Sequence, residues 1–317
     1  MHRKLLNEAR IELEIIPDGP ILVKSGVESA DPTRPDMEFV RIHHSALGRE
    51  TVYLPGSSLK GVIRSYCEKI TRTLGLDACD PTKDSSCGRR LEKKTNSATL
   101  YKESCWLCKL FGSTKIASRI RFNDAYPIKV NDDGEIDEGF AEATNRTEER
   151  TGVAIDRVLG SVAVGPFNME VVTNGGFATE IWIRNFETWQ LGLLGLAFRD
   201  LGEGRVPIGF GKSRGFGQVK AEISKVAVRY IKPFEEKANQ DGKTAVYGIG
   251  KLISTEEQDE YGLKLKGDDV AWADTVVQPS SSETGIGSVY LFSGEDQTRA
   301  LFRACVKCWA KVVNEND

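Results

Sequence analysis

Four cysteines are the residues whose types and spacing most directly indicate chemistry. Cys79 and Cys87 precede a polar stretch rich in Lys, Arg and Ser, and Cys105 and Cys108 form a Cys-x-x-Cys pair after it. Four thiolates in two close pairs are a common ligand set for tetrahedral Zn²⁺. We therefore predict a structural zinc site, which would order a segment with few apolar residues of its own. Free thiols are the alternative, and a disulfide is disfavoured in a reducing compartment.

A glycine-rich loop about two thirds along the chain indicates an anion-binding surface. The stretch is PIGFGKSRGFGQV, residues 207–219. Glycine adopts positive φ without steric cost and lets another chain approach the backbone N–H groups, and the two cations of this stretch suit a phosphate backbone. The predicted binding residues are Gly209, Gly211, Lys212, Ser213, Arg214 and Gly215. Tight turns between elements are the alternative.

A second anion-binding signal lies upstream in YLPGSSLKGVIRSY, residues 53–66. A Pro-Gly pair ends an extended segment there, and Ser57 or Ser58 is predicted to cap a helix. Apolar residues then recur at helical spacing and leave Lys60 and Arg64 on the other side. A helix start with free N–H groups and nearby cations binds anions, phosphate included. An ordinary capped amphipathic helix is the alternative.

The elements that must position these residues follow a definite order. Strands are predicted at 10–16, 119–127, 177–185 and 218–226, and helices at 58–74 and 187–201. In the first strand, Ile11, Leu13 and Ile15 alternate with polar residues. The order strand, helix, strand, strand, helix, strand is that of an α+β, ferredoxin-like or RRM-like (βαββαβ) core. The connections are too long for a minimal domain, so we interpret them as large insertions. They are residues 17–52, 75–117 and 128–176.

The composition excludes nucleic-acid binding through bulk positive charge. The formal net charge is −3 and the isoelectric point is near 5.9. Any RNA contact must therefore come from a local cationic surface that acidic residues offset elsewhere. With 317 residues, 40% of them hydrophobic, the chain can bury one large core or two modest ones. The sequence contains no apolar run of membrane-spanning length and no signal-peptide pattern, so we expect no membrane association and a cytoplasmic location.

Three motifs in order resemble the RAMP superfamily, the RNA-binding backbone subunits of type III CRISPR effector complexes. PGSSLKGVIRS at 55–65 is similar to the family's early Pro-Gly-Ser-Ser-Leu-Lys-Gly helix start, and GFGKSRGFGQVK at 209–220 to its late glycine-rich loop. LCKLFGS at 107–113, followed by SRIRFNDAYP at 118–127, is similar to the family's Leu-Phe-Gly-Ser turn and succeeding strand. The resemblance covers about residues 10–230.

The resemblance implies a subunit that binds guide RNA along a filament, in an antiviral ribonucleoprotein, and acts as an endoribonuclease on paired target RNA. Its partners would be the CRISPR guide RNA, single-stranded target RNA and other subunits of the effector. Two alternatives stay open. One is a non-catalytic subunit that only holds guide RNA. The other is a guide-RNA processing ribonuclease of the same superfamily, for which the chain offers the histidines His2, His43 and His44.

The resemblance also implies a catalytic aspartate in the insertion at 17–52. Asp36, in PDMEFVR, aligns best with that family position, and Asp31 is the second candidate. A carboxylate there can bind a hydrated Mg²⁺, or accept the 2′-hydroxyl proton while that oxygen attacks the adjacent phosphorus. Attack must be in line, which a protein can arrange by wedging the guide–target duplex apart.

A hairpin predicted at residues 150–172 is the expected wedge, with Gly165 and Pro166 as its turn residues. The resemblance places the guide-kinking thumb of RAMP subunits in this insertion. We expect apolar residues near the tip, including Phe167 and Met169, to push between bases. Packing of the hairpin on its own sheet is the alternative.

The last quarter of the chain changes in composition and matches no motif that we can name. We predict a RAMP domain of residues 1–230, with all three insertions, and a small α+β appendage of residues 231–317. The appendage would dock on the main domain or on a neighbouring subunit. Its closing helix, at about 296–313, carries a second Cys-x-x-Cys, Cys305 and Cys308, which we expect to pack in a core.

Overall fold

The computed structural model describes residues 4–26, 34–131, 133–232, 239–281 and 286–315. The strands are β1 (Asn7–Pro17), β2 (Arg41–His44), β3 (Arg49–Val52), β4 (Ile120–Phe122), β5 (Glu148–Ile155), β6 (Val162–Val171), β7 (Phe177–Arg184), β8 (Val219–Tyr230), β9 (Asn239–Gln240), β10 (Lys243–Tyr247), β11 (Val270–Ala273), β12 (Ser280–Ser281) and β13 (Ser288–Ser293). The α-helices are α1 (Gly56–Thr73), α2 (Cys87–Arg90), α3 (Ser97–Glu103), α4 (Trp106–Phe111), α5 (Glu138–Asn145), α6 (Thr188–Gly202), α7 (Ile249–Leu252), α8 (Thr255–Tyr261) and α9 (Gly294–Asn314). Among the residues described, no helix is both long and apolar enough to span a bilayer.

A six-stranded antiparallel sheet organises the molecule, in the order β12-β13-β8-β1-β7-β4. Four of its strands and two helices form the core, and they follow one another along the chain in the order β1, α1, β4, β7, α6, β8. This is the predicted order of strand, helix, strand, strand, helix, strand. In the sheet these four strands stand in the order β8-β1-β7-β4, which is the split βαβ arrangement of a ferredoxin-like core. The predicted α+β fold class is therefore confirmed.

The two faces of β1 differ in polarity, as the sequence predicted. Ile11, Leu13 and Ile15 are at most 4% exposed and belong to the main core, together with the apolar residues of α6. On the opposite face, Arg10 forms ion pairs with Glu12 of the same strand at 3.2 Å and with Glu180 of β7 at 3.3 Å. The core therefore lies on one face of the sheet and charged side chains cover the other.

Helix α6 is buried on almost all sides because α9 packs against it. Close approach depends on Gly192 of α6, where a Cβ would lie 2.2 Å from the carbonyl oxygen of Cys305 in α9. Trp189 of α6 and Trp309 of α9 both pack on Trp106 of α4, with ring centroids 5.0 and 5.6 Å apart. A helix that is apolar all round is expected to be buried in this way.

The residues after 239 extend the main sheet and attach to α6. Strand β13 pairs antiparallel with β8, and β12 pairs with β13. Strands β9, β10 and β11 form a separate small sheet. Just before β11, the Asp269 carboxylate accepts hydrogen bonds from the backbone N–H and the hydroxyl of Thr188, at 2.8 and 2.7 Å. These contacts tie the last quarter of the chain to the start of α6.

The long connections carry secondary structure of their own. The hairpin β2–β3 lies in the first, helices α2 to α4 in the second, and α5 with the hairpin β5–β6 in the third. The hairpin β5–β6 spans residues 148–171, which agrees with the predicted range of 150–172 to within two residues.

The turn of the hairpin β5–β6 lies at residues 156–161, so the predicted turn at Gly165 and Pro166 is wrong. Asp156 fixes the observed turn, because its carboxylate accepts hydrogen bonds from two backbone N–H groups of the turn at 2.7 and 2.8 Å. Gly160 completes it with φ of 67°. Gly165 and Pro166 lie inside β6, where the register with β5 shifts.

Candidate nucleic-acid interface and metal centre

The two predicted anion-binding segments meet in space. Ser57 and Ser58, in the first turn of α1, line a shallow cavity of about 430 Å³ together with Gly209 and Lys212. Lys24, from the first insertion, lines the same cavity and was not singled out from the sequence. The structure thus brings residues from the first insertion, α1 and the glycine-rich loop to one surface.

Helix α1 begins at Gly56 with no side chain capping it, so the prediction of Ser57 or Ser58 as the cap is wrong. The N–H of Gly56 donates to Asp124 Oδ1 at 2.7 Å. A Cβ on Gly56 would lie 2.4 Å from a carbonyl oxygen of β4, so only glycine permits this close approach. Within the described chain, no group accepts a hydrogen bond from the N–H of Ser57 or Ser58. Free N–H groups at a helix start favour a bound anion.

Two glycines of the loop at 209–217 are needed to fold the loop itself. Gly209 and Gly217 have φ of 73° and 85°. A Cβ on Gly209 would lie 2.2 Å from the carbonyl oxygen of Leu22. A Cβ on Gly217 would lie 2.0 Å from the carbonyl oxygen of Ile208. These glycines therefore allow the loop to pack against the first insertion and against itself.

The middle of the same loop faces solvent. Gly211 and Gly215 flank a turn of 3₁₀ helix, Lys212–Arg214, whose three residues are all exposed. The Arg214 guanidinium lies 5.0 Å from the centroid of the Phe210 ring. The space around Gly215 is open. This turn is the part of the loop that a ligand can reach.

We expect Gly217→Ala to lower the free energy of unfolding by roughly 2–4 kcal/mol, because backbone strain and overlap with a carbonyl oxygen act together. Gly215→Ala is the matched control, since its φ of 82° is similar but its surroundings are open. Its expected cost is about 1 kcal/mol, from the backbone strain alone. Urea denaturation of both variants measures the difference, and equal losses would show that the close contact at Gly217 is unimportant.

Lys60 and Lys212 lie beside other cations at these two segments. Partial desolvation of its amine lowers the pKa of Lys212, although the residue as a whole is exposed, and nearby Lys69 lowers it further. Burial likewise lowers the pKa of Lys60, with a further contribution from Arg64, and Lys60 Nζ donates to Ser118 Oγ at 2.9 Å. Among the described residues, no carboxylate lies within ion-pair distance of Lys60 or Lys212. Arg64 pairs with Glu68 at 3.1 Å, so the charges left for an anion such as phosphate are those of the two lysines.

Asp36 lies at the base of the hairpin β5–β6. Its carboxylate is exposed, and Oδ2 accepts a hydrogen bond from the N–H of Asn168 at 2.8 Å. The next residue, Met37, donates its N–H to the carbonyl oxygen of Asn168 and accepts from the N–H of Glu170. In the part of the chain that the structure describes, no group of three or more metal-binding side chains includes Asp36. Asp31 lies outside the described residues.

The histidines that are described lie in β2. The ring of His44 lies 4.4 Å from that of Tyr126, and Tyr126 stacks on Tyr53 at 5.8 Å. His43 is exposed, and His2 lies outside the described residues. The structure therefore gives His44 an aromatic packing contact.

Exposed aliphatic side chains cover the end of the hairpin β5–β6. Val158 and Leu159, in the turn, are 91% and 78% exposed. Met169, by contrast, is 5% exposed, and Phe167 packs over Gly152, where a Cβ would lie 2.7 Å from its ring. The predicted position of Phe167 and Met169 near the tip is therefore wrong, because the turn comes earlier in the chain and leaves both near the base.

The four cysteines of the second insertion lie together. Their Sγ atoms are all within 4.8 Å of one another, and that of Cys79 is 3.6 Å from those of Cys105 and Cys108. A tetrahedral Zn²⁺ with Zn–S distances of about 2.3 Å would set its sulfur atoms about 3.8 Å apart. Cys87 starts α2, and the Cys-x-x-Cys pair spans the start of α4. The cluster is compact enough to hold a metal ion such as zinc.

Two arginines approach this cysteine cluster. Nη2 of Arg90 lies 3.6 Å from Cys87 Sγ, and Nη2 of Arg64 lies 3.8 Å from Cys108 Sγ. Hydrogen bonds from the Cys105 and Cys108 thiols lower the pKa of Cys87. Four thiolates around one divalent cation carry a net negative charge, which the two nearby arginines would partly neutralise. From the sequence, Arg64 was predicted to bind RNA only, since no local pattern reveals its contact with the cysteines.

No curated protein matches the chain. The RAMP superfamily model matches residues 39–220, which is more than half of the sequence. This segment contains α1, the cysteine cluster, the hairpin β5–β6 and the glycine-rich loop. It therefore includes all three motifs on which the resemblance rested and every described element of the candidate interface except Lys24 and Asp36. The chain belongs to the RAMP superfamily.

Proposed function

We propose that this chain is a backbone subunit of a type III CRISPR effector, where it binds guide RNA and cleaves complementary target RNA. Membership of the RAMP superfamily supports a CRISPR-associated RNA-binding module. The main observation in support of RNA binding is that the start of α1 and the glycine-rich loop line the same cavity. Guide RNA, target RNA and other effector subunits would be its partners, in the cytoplasm.

The proposed binding mode uses the RNA backbone. The N–H groups of Ser57 and Ser58 and the side chains of Lys60 and Lys212 would contact successive phosphates. Phosphate contacts position a strand but carry no sequence information. A subunit that must hold guides of any sequence needs such contacts. The net charge of −3 is compatible with this mode because Lys24, Lys60 and Lys212 supply positive charge locally.

Charge reversal at both lysines, Lys60→Glu with Lys212→Glu, is expected to weaken guide-RNA binding by about 100-fold near physiological salt. Each substitution removes a phosphate contact and adds repulsion. The slope of log affinity against log salt should fall by about 2, roughly one unit for each lost contact. Fluorescence anisotropy with labelled guide RNA, repeated at several salt concentrations, measures both quantities.

Lys307→Glu is a control for charge reversal away from this surface, with half the change in net charge of the double variant. Lys307 is exposed on α9, and its nearest carboxylate, on Asp274, lies at 3.8 Å. We expect this variant to bind guide RNA within about two-fold of the unmodified protein. If Lys307→Glu lowers the affinity for guide RNA as much as the double variant does, the effect comes from net charge. If the double variant binds guide RNA with full affinity, this surface does not bind the RNA.

For cleavage, we assign to Asp36 the role of proton acceptor. The 2′-oxygen of the target attacks the adjacent phosphorus, its proton passes to the Asp36 carboxylate, and the bond to the 5′-oxygen breaks as that oxygen takes a proton from water. The tip of the hairpin lies about 20 Å along β6 from Asn168, at roughly 3.3 Å per residue. Val158 and Leu159 of a neighbouring copy along the guide RNA would therefore hold the bases apart beside Asp36 and so allow in-line attack. When bound, Mg²⁺ would offset charge on the phosphate.

The four-cysteine cluster suits a structural Zn²⁺ in the proposed subunit. Thiolates would fill all four tetrahedral positions, which leaves none open for a substrate. All six residues of α4 are buried, so the metal would fix the second insertion to the main core. Its role would be to hold α4 in place next to α1.

A further inference from the structure

A cavity of about 400 Å³ lies at the free edge of the main sheet, where β4 begins and β7 ends. Four cations line it, namely Lys4, Arg119, Arg121 and Arg184, and none of the described carboxylates does. Its volume is in the range of small-ligand sites. RNA binding at the α1 start, cleavage and metal binding use none of these side chains.

The cations of this cavity are only partly neutralised. Lys4 Nζ lies 2.7 Å from Glu257 Oε1, and Arg184 pairs with Glu8. Arg121 is exposed and, in the described ranges, has no carboxylate within ion-pair distance. The cavity therefore has positive charge available for an anionic ligand.

Trp182 provides a flat aromatic surface beside that charge. It is half-buried, and its indole N–H donates to Glu180 Oε2 at 3.1 Å. The guanidinium groups of Arg121 and Arg10 lie 5.8 and 5.9 Å from the centroid of its ring. Proteins that bind single-stranded nucleic acid combine aromatic rings, on which bases stack, with cations that contact the backbone.

Ser118 connects this cavity with the candidate interface. It also lines a groove of about 990 Å³ beside the cysteine cluster, together with Lys60, Arg64 and Lys115. Lys60 Nζ donates to Ser118 Oγ at 2.9 Å. A strand that is bound at the start of α1 would meet Lys60 and Ser118 before it reached Trp182.

We propose that the cavity binds one further nucleotide of the same single-stranded RNA, with the base on Trp182 and the phosphate at Arg121. This site rests on the proposed RNA binding at α1 and extends that surface around the edge of the sheet. An acidic peptide would also satisfy Arg121, but it would use neither the indole surface nor the continuous groove.

Oligouridines of increasing length, from about 4 to about 16 nucleotides, test this site when their binding to the full chain is followed by anisotropy. Trp182→Ala and Arg121→Ala are each expected to weaken binding of the longest oligonucleotide by roughly tenfold and to leave the shortest unchanged. Trp182→Phe retains an aromatic ring, so it should retain most of the affinity. Trp272→Ala is the matched control, because Trp272 is 39% exposed on β11 and should not affect RNA binding.

Several results would overturn this assignment. Equal weakening at every length would show that Trp182 acts through the fold, and unchanged binding of the longest oligonucleotide would exclude the site. Displacement of the RNA from this site by an oligoglutamate peptide, with no effect at α1, would assign it to a protein partner. If the unmodified chain binds none of the oligonucleotides, RNA binding at α1 is disproved as well. If the unmodified chain binds them and the Trp182 and Arg121 substitutions have no effect, only the proposed site at Trp182 is disproved.

Discussion

Asp36→Asn is expected to reduce target cleavage by the assembled effector at least about 100-fold, with binding of guide and target unchanged. Asparagine cannot accept the 2′-hydroxyl proton, and general-base catalysis contributes roughly 10²–10⁴-fold. The substitution keeps the shape of the side chain and an oxygen that can accept from the N–H of Asn168, so the base of the hairpin is preserved. Single-turnover cleavage of labelled complementary RNA in Mg²⁺, with a parallel binding assay, measures the effect.

Two further variants make this experiment decisive. Asp31→Asn tests the second candidate, and Asp18→Asn is a control from the same insertion, where Asp18 pairs with Lys220 at 3.4 Å. Loss of cleavage only in the Asp31 variant would move the catalytic role to Asp31. Full cleavage by both the Asp36 and Asp31 variants would favour a subunit that only holds guide RNA. Cutting of free repeat RNA by the isolated chain would favour the processing ribonuclease.

The purified chain is expected to contain one zinc ion, and Cys105→Ser is expected to lose it together with at least about 3 kcal/mol of stability. Structural zinc in small domains contributes an apparent binding free energy of about 10–16 kcal/mol, and loss of even part of this is large against a typical domain stability of about 5–15 kcal/mol. Because α4 is buried in the main core, the loss should affect the whole domain. Elemental analysis and urea denaturation, with and without a chelator, test this expectation.

The second Cys-x-x-Cys provides the control for zinc. Cys305 is fully buried in α9, and Cys305→Ser should retain zinc while losing about 1–3 kcal/mol through burial of a hydroxyl. Equal zinc content in the Cys105 and Cys305 variants would exclude the cluster as the metal site. A metal-free protein whose stability does not respond to a chelator would instead support free thiols.

The central fold was predictable because its signals are local. The alternation of Ile11, Leu13 and Ile15, for example, identifies a strand with one buried face from neighbouring residues alone. The pairing of β13 with β8 was not predictable in this way, because a strand's partner depends on which edge the rest of the sheet leaves free. The division into residues 1–230 and 231–317 stays a prediction.

The candidate site was predictable only where a short motif carries its own chemistry. The cysteine pairs and the two segments predicted to bind anions have that property, and the structure brings each set together. The hairpin turn was misplaced because Gly165 and Pro166 are strong turn signals, whereas the carboxylate of Asp156 sets the turn. Arg121 and Trp182 were missed because they are isolated residues in separate strands, and only the register of β4 with β7 makes them neighbours.

Strand β1 is synthesised long before either of its partners. About 160 residues separate its end from β7 and about 200 from β8, so at roughly 5–20 residues per second it waits about 8–40 s on the ribosome. During that time Ile11, Leu13 and Ile15 lack the partner strands with which they are buried in the folded protein, and exposed apolar side chains of this kind promote aggregation. The nascent chain should therefore need protection by chaperones until β8 has emerged, and its yield in cells should depend on the speed of translation.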